Sequence, residues 1–342
     1  MPSAHTVCGP IDVSELGRVL HHEHLLSLTP GAWCCACAGR RTEPVGEAQV
    51  EIAIAALERL QALDVRTVVD LSPYGVVGRD DHGANVELLV EISERTGMHV
   101  ICGSATYLEA FSPTWALDAD IDTLTRRFIS DLTSGIDGTS IRAGLLGEQA
   151  TSLGEITAFE ERCLRASARA HRATGAALIT HTTHGTMALE QIDLLEAEGV
   201  DLDRVVIGHM DTHPELGYVR AVLDRGVSVA FDTIGKQFWD FRVAPLRDDM
   251  PEGEFTKSAY FRADTTRANR IAELISLGYA DRLFVAQDMT GSEVYLNPQT
   301  HGQSGYGYLF GEFAAMLRAR GVTDAQLDQM LIANPARLLT TS

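Results

Sequence analysis

A single (β/α)8 barrel over residues 1–342 is the fold class this sequence predicts, and three observations carry the prediction. Eight short apolar runs rich in Val and Ile alternate with longer segments of helical periodicity, the pattern of parallel strands joined by helices. The polar residues able to do chemistry gather where those runs end. After the first run there is no Gly-rich phosphate loop of the kind an open dinucleotide-binding sheet carries.

The strands are expected at about 19–24, 66–71, 99–105, 141–148, 177–182, 204–209, 227–233 and 282–288. The first contains His21-His22-Glu23-His24. Strand side chains alternate between faces, so His22 and His24 point the same way about 7 Å apart, while Glu23 points to the other side and His21 away from the pair. The fourth run ends in Gly147-Glu148, the fifth in Thr180-His181, the sixth in Gly208-His209 and the eighth in Gln287-Asp288. An open doubly wound sheet shares the alternation but would spread these ends along a line. A barrel brings them to one mouth. Between the runs, Thr157-Ala158-Phe159-Glu160 and Thr323-Asp324-Ala325-Gln326 read as capping boxes that open helices. Asn334-Pro335 reads as a cap followed by proline in the first turn.

Composition narrows the partners. With 28 Lys and Arg against 47 Asp and Glu, the formal net charge of −19 argues against nucleic acid and acidic membranes, which need clustered cations. No apolar run reaches the roughly 18 residues of a membrane span, and no signal segment is visible at the start, so a cytoplasmic location is expected. Cys8, Cys34, Cys35, Cys37, Cys102 and Cys163 lack disulfide-scaffold spacing and are expected as free thiols.

Three connections, 25–43, 235–263 and 289–304, are long enough to be substrate loops on the barrel mouth. They carry Trp33 with the Cys34-Cys35-Ala36-Cys37 cluster, Lys236 with Trp239, and His301. Trp33, Lys236, Trp239 and His301, together with Tyr107, are the candidate substrate residues.

Four imidazoles and two carboxylates suit zinc and its first-row neighbours, and six donors are too many for one ion with an open position. They suit two ions about 3.5–4 Å apart that share a bridging hydroxide nucleophile. His22, His24 and Asp288 would hold the first, His181 and His209 the second, with Glu148 between them. Asp288 is also the expected catalytic group, taking the nucleophile's proton and passing it to the leaving group. Zn is the first expectation, and Mn, Co and Fe accept the same donors.

Several motifs then point to one family. Val7-Cys8-Gly9-Pro10-Ile11, His22-Glu23-His24, Asp70-Leu71-Ser72-Pro73 with Gly78-Arg79-Asp80, Thr180-His181-Thr182, Ile207-Gly208-His209 and Phe231-Asp232-Thr233-Ile234-Gly235-Lys236 together resemble the phosphotriesterase-like family of the amidohydrolase superfamily. Gly144-Leu145-Leu146-Gly147-Glu148 and Gly305-Tyr306-Gly307-Tyr308 are similar to its phosphotriesterase homology protein branch. The resemblance implies a TIM barrel with a binuclear metal centre, the ligand set just named, and a homodimer. Two departures stand out: Glu148 replaces the carboxylated lysine of many members, and Thr233 follows Asp232 where the phosphotriesterases place a relay histidine. The expected activity is metal-dependent hydrolysis of a small carboxylic ester, lactone or amide. The alternatives are phosphotriester hydrolysis and a barrel that binds metal or ligand without turnover.

Overall fold

The computed structural model describes residues 2–27, 46–236, 241–243, 257–259, 263–290 and 305–341. An antiparallel hairpin comes first, β1 (Ser3–Thr6) and β2 (Gly9–Asp12). Then follow β3 (Arg18–Glu23), β4 (Val65–Asp70), β5 (His99–Ser104), β6 (Leu145–Thr151), β7 (Leu178–Thr182), β8 (Val205–Ile207) and β9 (Ser228–Phe231). A second small antiparallel pair, β10 (Phe241–Val243) and β11 (Lys257–Ala259), precedes β12 (Leu283–Val285). The strands β3 to β9 and β12 form one parallel sheet in sequential order.

The sheet curls back on itself just past β12. There the Asp288 amide donates to the His22 carbonyl at 3.0 Å, the His24 amide donates to the Met289 carbonyl at 3.1 Å, and His24 bridges to Thr290. This is the nearly closed eight-stranded barrel expected of the sequence. Helices α1 (Glu47–Gln61), α2 (Val86–Thr96), α3 (Thr114–Asp118), α4 (Ile121–Thr133), α5 (Ala158–Thr174), α6 (Ala188–Ala197), α7 (Leu216–Leu223) and α8 (Asp264–Ser276) fill the connections. No helix among the described residues is long and apolar enough to cross a membrane.

The apolar core falls into two main layers. Alternation along the strands sends Leu20, Val68, Val100, Leu146, Leu178, Ile207 and Val229 outward against the helices. Val19, Val69, Ile101, Leu145, Ile179, Val206, Ala230 and Phe284, one from each barrel strand, form a separate buried cluster with Ala4, Leu338 and Leu339. This second cluster is the floor beneath the mouth. Each such Val, Leu, Ile or Phe contributes roughly 1.5–3 kcal/mol by leaving water.

All eight expected strands are present, and three readings need correction. The fourth strand begins at Leu145 rather than residue 141 and runs on to Thr151, because Gln149, Ala150 and Thr151 pair with Thr180, His181 and Thr182. The β1–β2 hairpin, read from sequence only as a motif, pairs Thr6 with Gly9 across Val7-Cys8, and the Val7 amide donates to the Val100 carbonyl at 2.9 Å. Asn334 does not cap a helix. It opens the C-terminal helix Asn334–Leu339, and its side-chain amide donates to the carbonyls of Ala280 and Leu283 at 2.9 and 2.7 Å. His171 is buried between the Ala176 carbonyl and the Asp201 amide. Both capping boxes form as read. Cys8, Cys102 and Cys163 are free thiols, whereas Cys34, Cys35 and Cys37 lie outside the described residues.

Candidate metal centre

Two irregularities in the sheet aim the chemistry. Between Leu20 and Glu23 the register against β4 slips, three residues on β3 spanning two on β4. Between Leu146 and Gln149 the register against β7 slips in the same way. Bulges of this kind re-aim a side chain. The first contains His21 and His22, and the second contains Gly147 and Glu148. As a result His21 does not turn away from the pair: its ring lies 6.3 Å from that of His22 and packs edge-on to Phe284 at 5.2 Å. Glycine is required before two of the site residues. A Cβ at Gly147, whose φ is +150°, would sit 2.8 Å from the Ile179 carbonyl oxygen, and one at Gly208 would sit 2.2 Å from that of Thr180.

The residues expected to converge do so. Glu148 lies at the middle: its Oε2 is 3.1 Å from His181 Nδ1 and 3.4 Å from both His22 Nε2 and His209 Nε2, and its Oε1 is 3.6 Å from His24 Nε2. Asp288 Oδ1 stands 3.0 Å from His24 Nε2 and 3.7 Å from His22 Nε2. His22 with His24 and Glu148, and His181 with His209 and Glu148, each bring their ligand atoms close enough together to hold an ion.

The orientation of the imidazoles is set from behind. Asp232 accepts from the Nδ1 atoms of both His22 and His209 at 2.9 Å, and its Oδ1 also accepts from the His209 amide at 2.9 Å. With Nδ1 carrying the proton, Nε2 of each ring offers a lone pair to the site. His24 Nδ1 meets Ser72 Oγ at 3.1 Å. Behind Ser72, Asp70 accepts from the amides of Leu25 and Ser72 and is paired with buried Arg79 at 3.1 Å.

Electrostatics favour a cation. Burial would raise the Glu148 and Asp232 carboxyls, but the surrounding histidines outweigh it and hold both well below the usual carboxylate range. Asp288 is also held down, burial being outweighed by Lys236 Nζ at 2.7 Å and by His24. Burial opposes a charge on His22, yet Asp232 and Glu148 push it up to about 10. His209 rises for the same reason, burial being outweighed by Asp232, whereas His181 is lowered by burial and by His209. Glu148, Asp232 and Asp288 thus draw positive charge into the cluster, from Lys236 and from protons on His22 and His209. His22 Nε2 is buried without a hydrogen-bond partner among these oxygens. Such an orphaned nitrogen in an all nitrogen-and-oxygen donor set fits a divalent first-row ion.

Of the candidate substrate residues, Tyr107 and Lys236 line the cleft beside the cluster, the Tyr107 hydroxyl 3.5 Å from His181 Nε2. Trp33, Trp239 and His301 lie outside the described residues. Sequence reasoning missed Asp232 as a site residue, although it stands at a strand end like the others, and missed Ser72. It also left Thr233 without a partner. Its hydroxyl meets Asp211, and it accepts from the buried guanidinium of Arg267 at 2.9 Å.

The family model described as "Phosphotriesterase family" matches residues 2–339. The chain belongs to that family. Phosphotriesterase homology protein of Escherichia coli (strain K12) is 33% identical over 255 residues, which cover 75% of this chain and 79% of its own. A crystal structure of the Escherichia coli protein of that name, with phosphate in its active site, has a TM-score of 0.79 at 29% identity, covering 96% of this chain and 100% of that one. A doubly substituted variant of the organophosphorus hydrolase from Deinococcus radiodurans has a TM-score of 0.81 at 31% identity, covering 98% and 96%. N-acetyltaurine hydrolase of Rattus norvegicus is 28% identical over 369 aligned positions, covering 98% and 97%. This phosphotriesterase-family barrel is thus a hydrolytic enzyme acting on small molecules, with a candidate metal site at its mouth.

Proposed function

We propose that this chain is a binuclear metal-dependent hydrolase that cleaves a small carboxylic amide, ester or lactone, with an amide bearing a negative charge as the first choice. One observation carries the reading: Glu148 sits within 3.1–3.6 Å of four imidazoles drawn from β3, β7 and the end of β8, with Asp288 alongside. His22, His24 and Asp288 would hold one ion, His181 and His209 the other, and Glu148 would link them. Zn is the expected metal, with Mn, Co and Fe as alternatives. Bound divalent ions would supply Lewis-acid activation of water near neutral pH and charge compensation in the transition state.

The chain's own side chains have distinct tasks. Asp232 holds His22 and His209 in the tautomer that presents Nε2. Asp288 accepts the proton released by the attacking water and delivers it to the leaving nitrogen or oxygen. Tyr107, with its hydroxyl facing the cleft, donates to the carbonyl oxygen as negative charge develops there. Lys236 steadies Asp288 through its 2.7 Å contact and offers the positive charge that an anionic substrate needs. That charge, together with relatives named for N-acetyltaurine hydrolysis, supports an amide carrying an anionic group. The similarity to an organophosphorus hydrolase keeps phosphotriesters as the second reading. Against it, Thr233 is tied to Asp211 and Arg267 rather than turned to the cluster.

The test is elemental analysis of the purified protein together with turnover of N-acetyltaurine and other N-acyl amides, lactones and a paraoxon-type triester. Amide or lactone cleavage abolished by a chelator and restored by Zn supports the reading. Fast triester cleavage with no acyl activity would reverse the ranking, and metal binding with no turnover of any of them would make the barrel a binding protein.

A further inference from the structure

Glu23 lies between two site histidines in sequence and is fully buried. It does not face the cluster. Its Oε1 accepts from the Gln287 amide at 3.1 Å and its Oε2 accepts from the Met289 amide at 2.8 Å. Those two amides flank Asp288, whose own amide donates to the His22 carbonyl at 3.0 Å. Asp288 is held at φ +50°, the left-handed region that residues with a Cβ seldom occupy. The barrel seam in this stretch is therefore fastened twice, once by the backbone of His22 and His24 and once by the Glu23 carboxylate.

We propose that Glu23 is a positioning residue whose two carboxylate oxygens grip the amides on either side of Asp288 and so aim the Asp288 side chain at His24 and the metal cluster. The chemistry of the acceptor explains the residue type. The Gln287 and Met289 N–H groups each meet a different oxygen of Glu23, and a carboxylate presents two acceptor oxygens at this spacing. A glutamine in its place turns an NH2 group toward one of the N–H donors. A buried carboxylate is costly to desolvate, and its partners here are two backbone amides rather than a cation. The two-pronged contact is what the carboxylate supplies in return for that cost. Glu23 touches neither substrate nor metal in this account. It acts through Asp288.

The inference rests on the metal-hydrolase reading for its functional consequence, but not for its structural one. Glu23→Gln is expected to lower Zn2+ affinity, measured by competition with a chromogenic chelator, by about 10- to 100-fold. It should lower kcat on the best acyl substrate by at least about tenfold, with KM changed less than about threefold. In a crystal structure of the metal-free variant, Asp288 Oδ1 should leave its 3.0 Å contact with His24 Nε2. In an Asp288→Ala background, adding Glu23→Gln should change Zn2+ affinity less than about threefold, because the route through Asp288 is already gone. Should Glu23→Gln fail to fold, Glu23→Asp takes its place in the same cycle, since it keeps the charge but reaches only one amide.

Wild-type Zn2+ affinity in the Glu23 variant, or an equal loss in both backgrounds, would overturn the proposal. If wild type binds none of Zn2+, Mn2+, Co2+ and Fe2+, the metal-hydrolase reading fails, while the position of Asp288 in the metal-free variant still decides whether Glu23 aims it.

Discussion

The floor and the mouth of this barrel are built from the same eight strands by opposite means. On the floor, Val19, Val69, Ile101, Leu145, Ile179, Val206, Ala230 and Phe284 pack as one apolar cluster, with a single register slip beside Val19. A few residues further along the same strands, the mouth has two bulges, buried carboxylates, and His209 and Asp288 at φ +58° and +50°. Each left-handed residue costs on the order of 1–3 kcal/mol, a strain that persists only where the surroundings over-determine it. The difference teaches that this molecule keeps stability and chemistry on separate layers. The apolar floor fixes strand spacing, and the mouth uses that rigidity to hold charged groups in positions they would not adopt alone.

If the layers are separate, substitutions in one should leave the other's property intact. Glu148→Ala should cause the largest functional loss, about 10³-fold in kcat/KM or more, because every imidazole of the cluster faces that carboxylate. Its melting temperature without metal should fall less than that of a floor variant, because His22 and His209 keep Asp232 as a partner. Melting scans in chelator alongside steady-state rates check both. Phe284→Ala should do the reverse, costing about 3–5 kcal/mol in denaturant unfolding while the folded fraction keeps its kcat. A floor substitution that removed activity without loss of stability would break the comparison.

The pH response sharpens it. In the metal-free protein the His22 imidazole is raised from 6.5 to about 10, so its stabilising contribution is complete below pH 6.5 and fades as pH climbs toward 10. A divalent ion competes for the same lone pair, so its affinity should grow across that window as the proton leaves. Melting temperatures from pH 6.5 to 10 should therefore fall for chelator-treated protein and hold or rise for the Zn-loaded form. Parallel curves would count against the cluster being the titrating element. The smallest effect is expected of Ser72→Ala, which frees His24 Nδ1 and should weaken Zn2+ binding about tenfold with little change in melting.

How far the sequence alone reaches follows the same division. The floor was legible because apolar β-branched runs have a period and a length, and all eight strands were found from them. The residues of the cluster were legible because each stands at a strand end, where a barrel's geometry makes them converge. The bulges were not. A slip of one residue at His21-His22 or Gly147-Glu148 leaves no mark in composition, so His21 was expected to face away from a ring it lies beside. Asp232 was passed over because its partners, His22 and His209, are 210 and 23 residues away in the chain. Asn334 was misread because a side chain able to cap locally found stronger partners in the carbonyls of Ala280 and Leu283. Tertiary hydrogen bonds outranked a local preference in each of the last two cases.

The most direct test is anomalous diffraction from crystals of the Zn-loaded protein, collected on both sides of the metal absorption edge. The account predicts two peaks about 3.5–4 Å apart, one on each side of the Glu148 carboxylate. The first should lie among His22, His24 and Asp288, the second between His181 and His209. A catalytically active crystal with no peak touching Glu148 would contradict it.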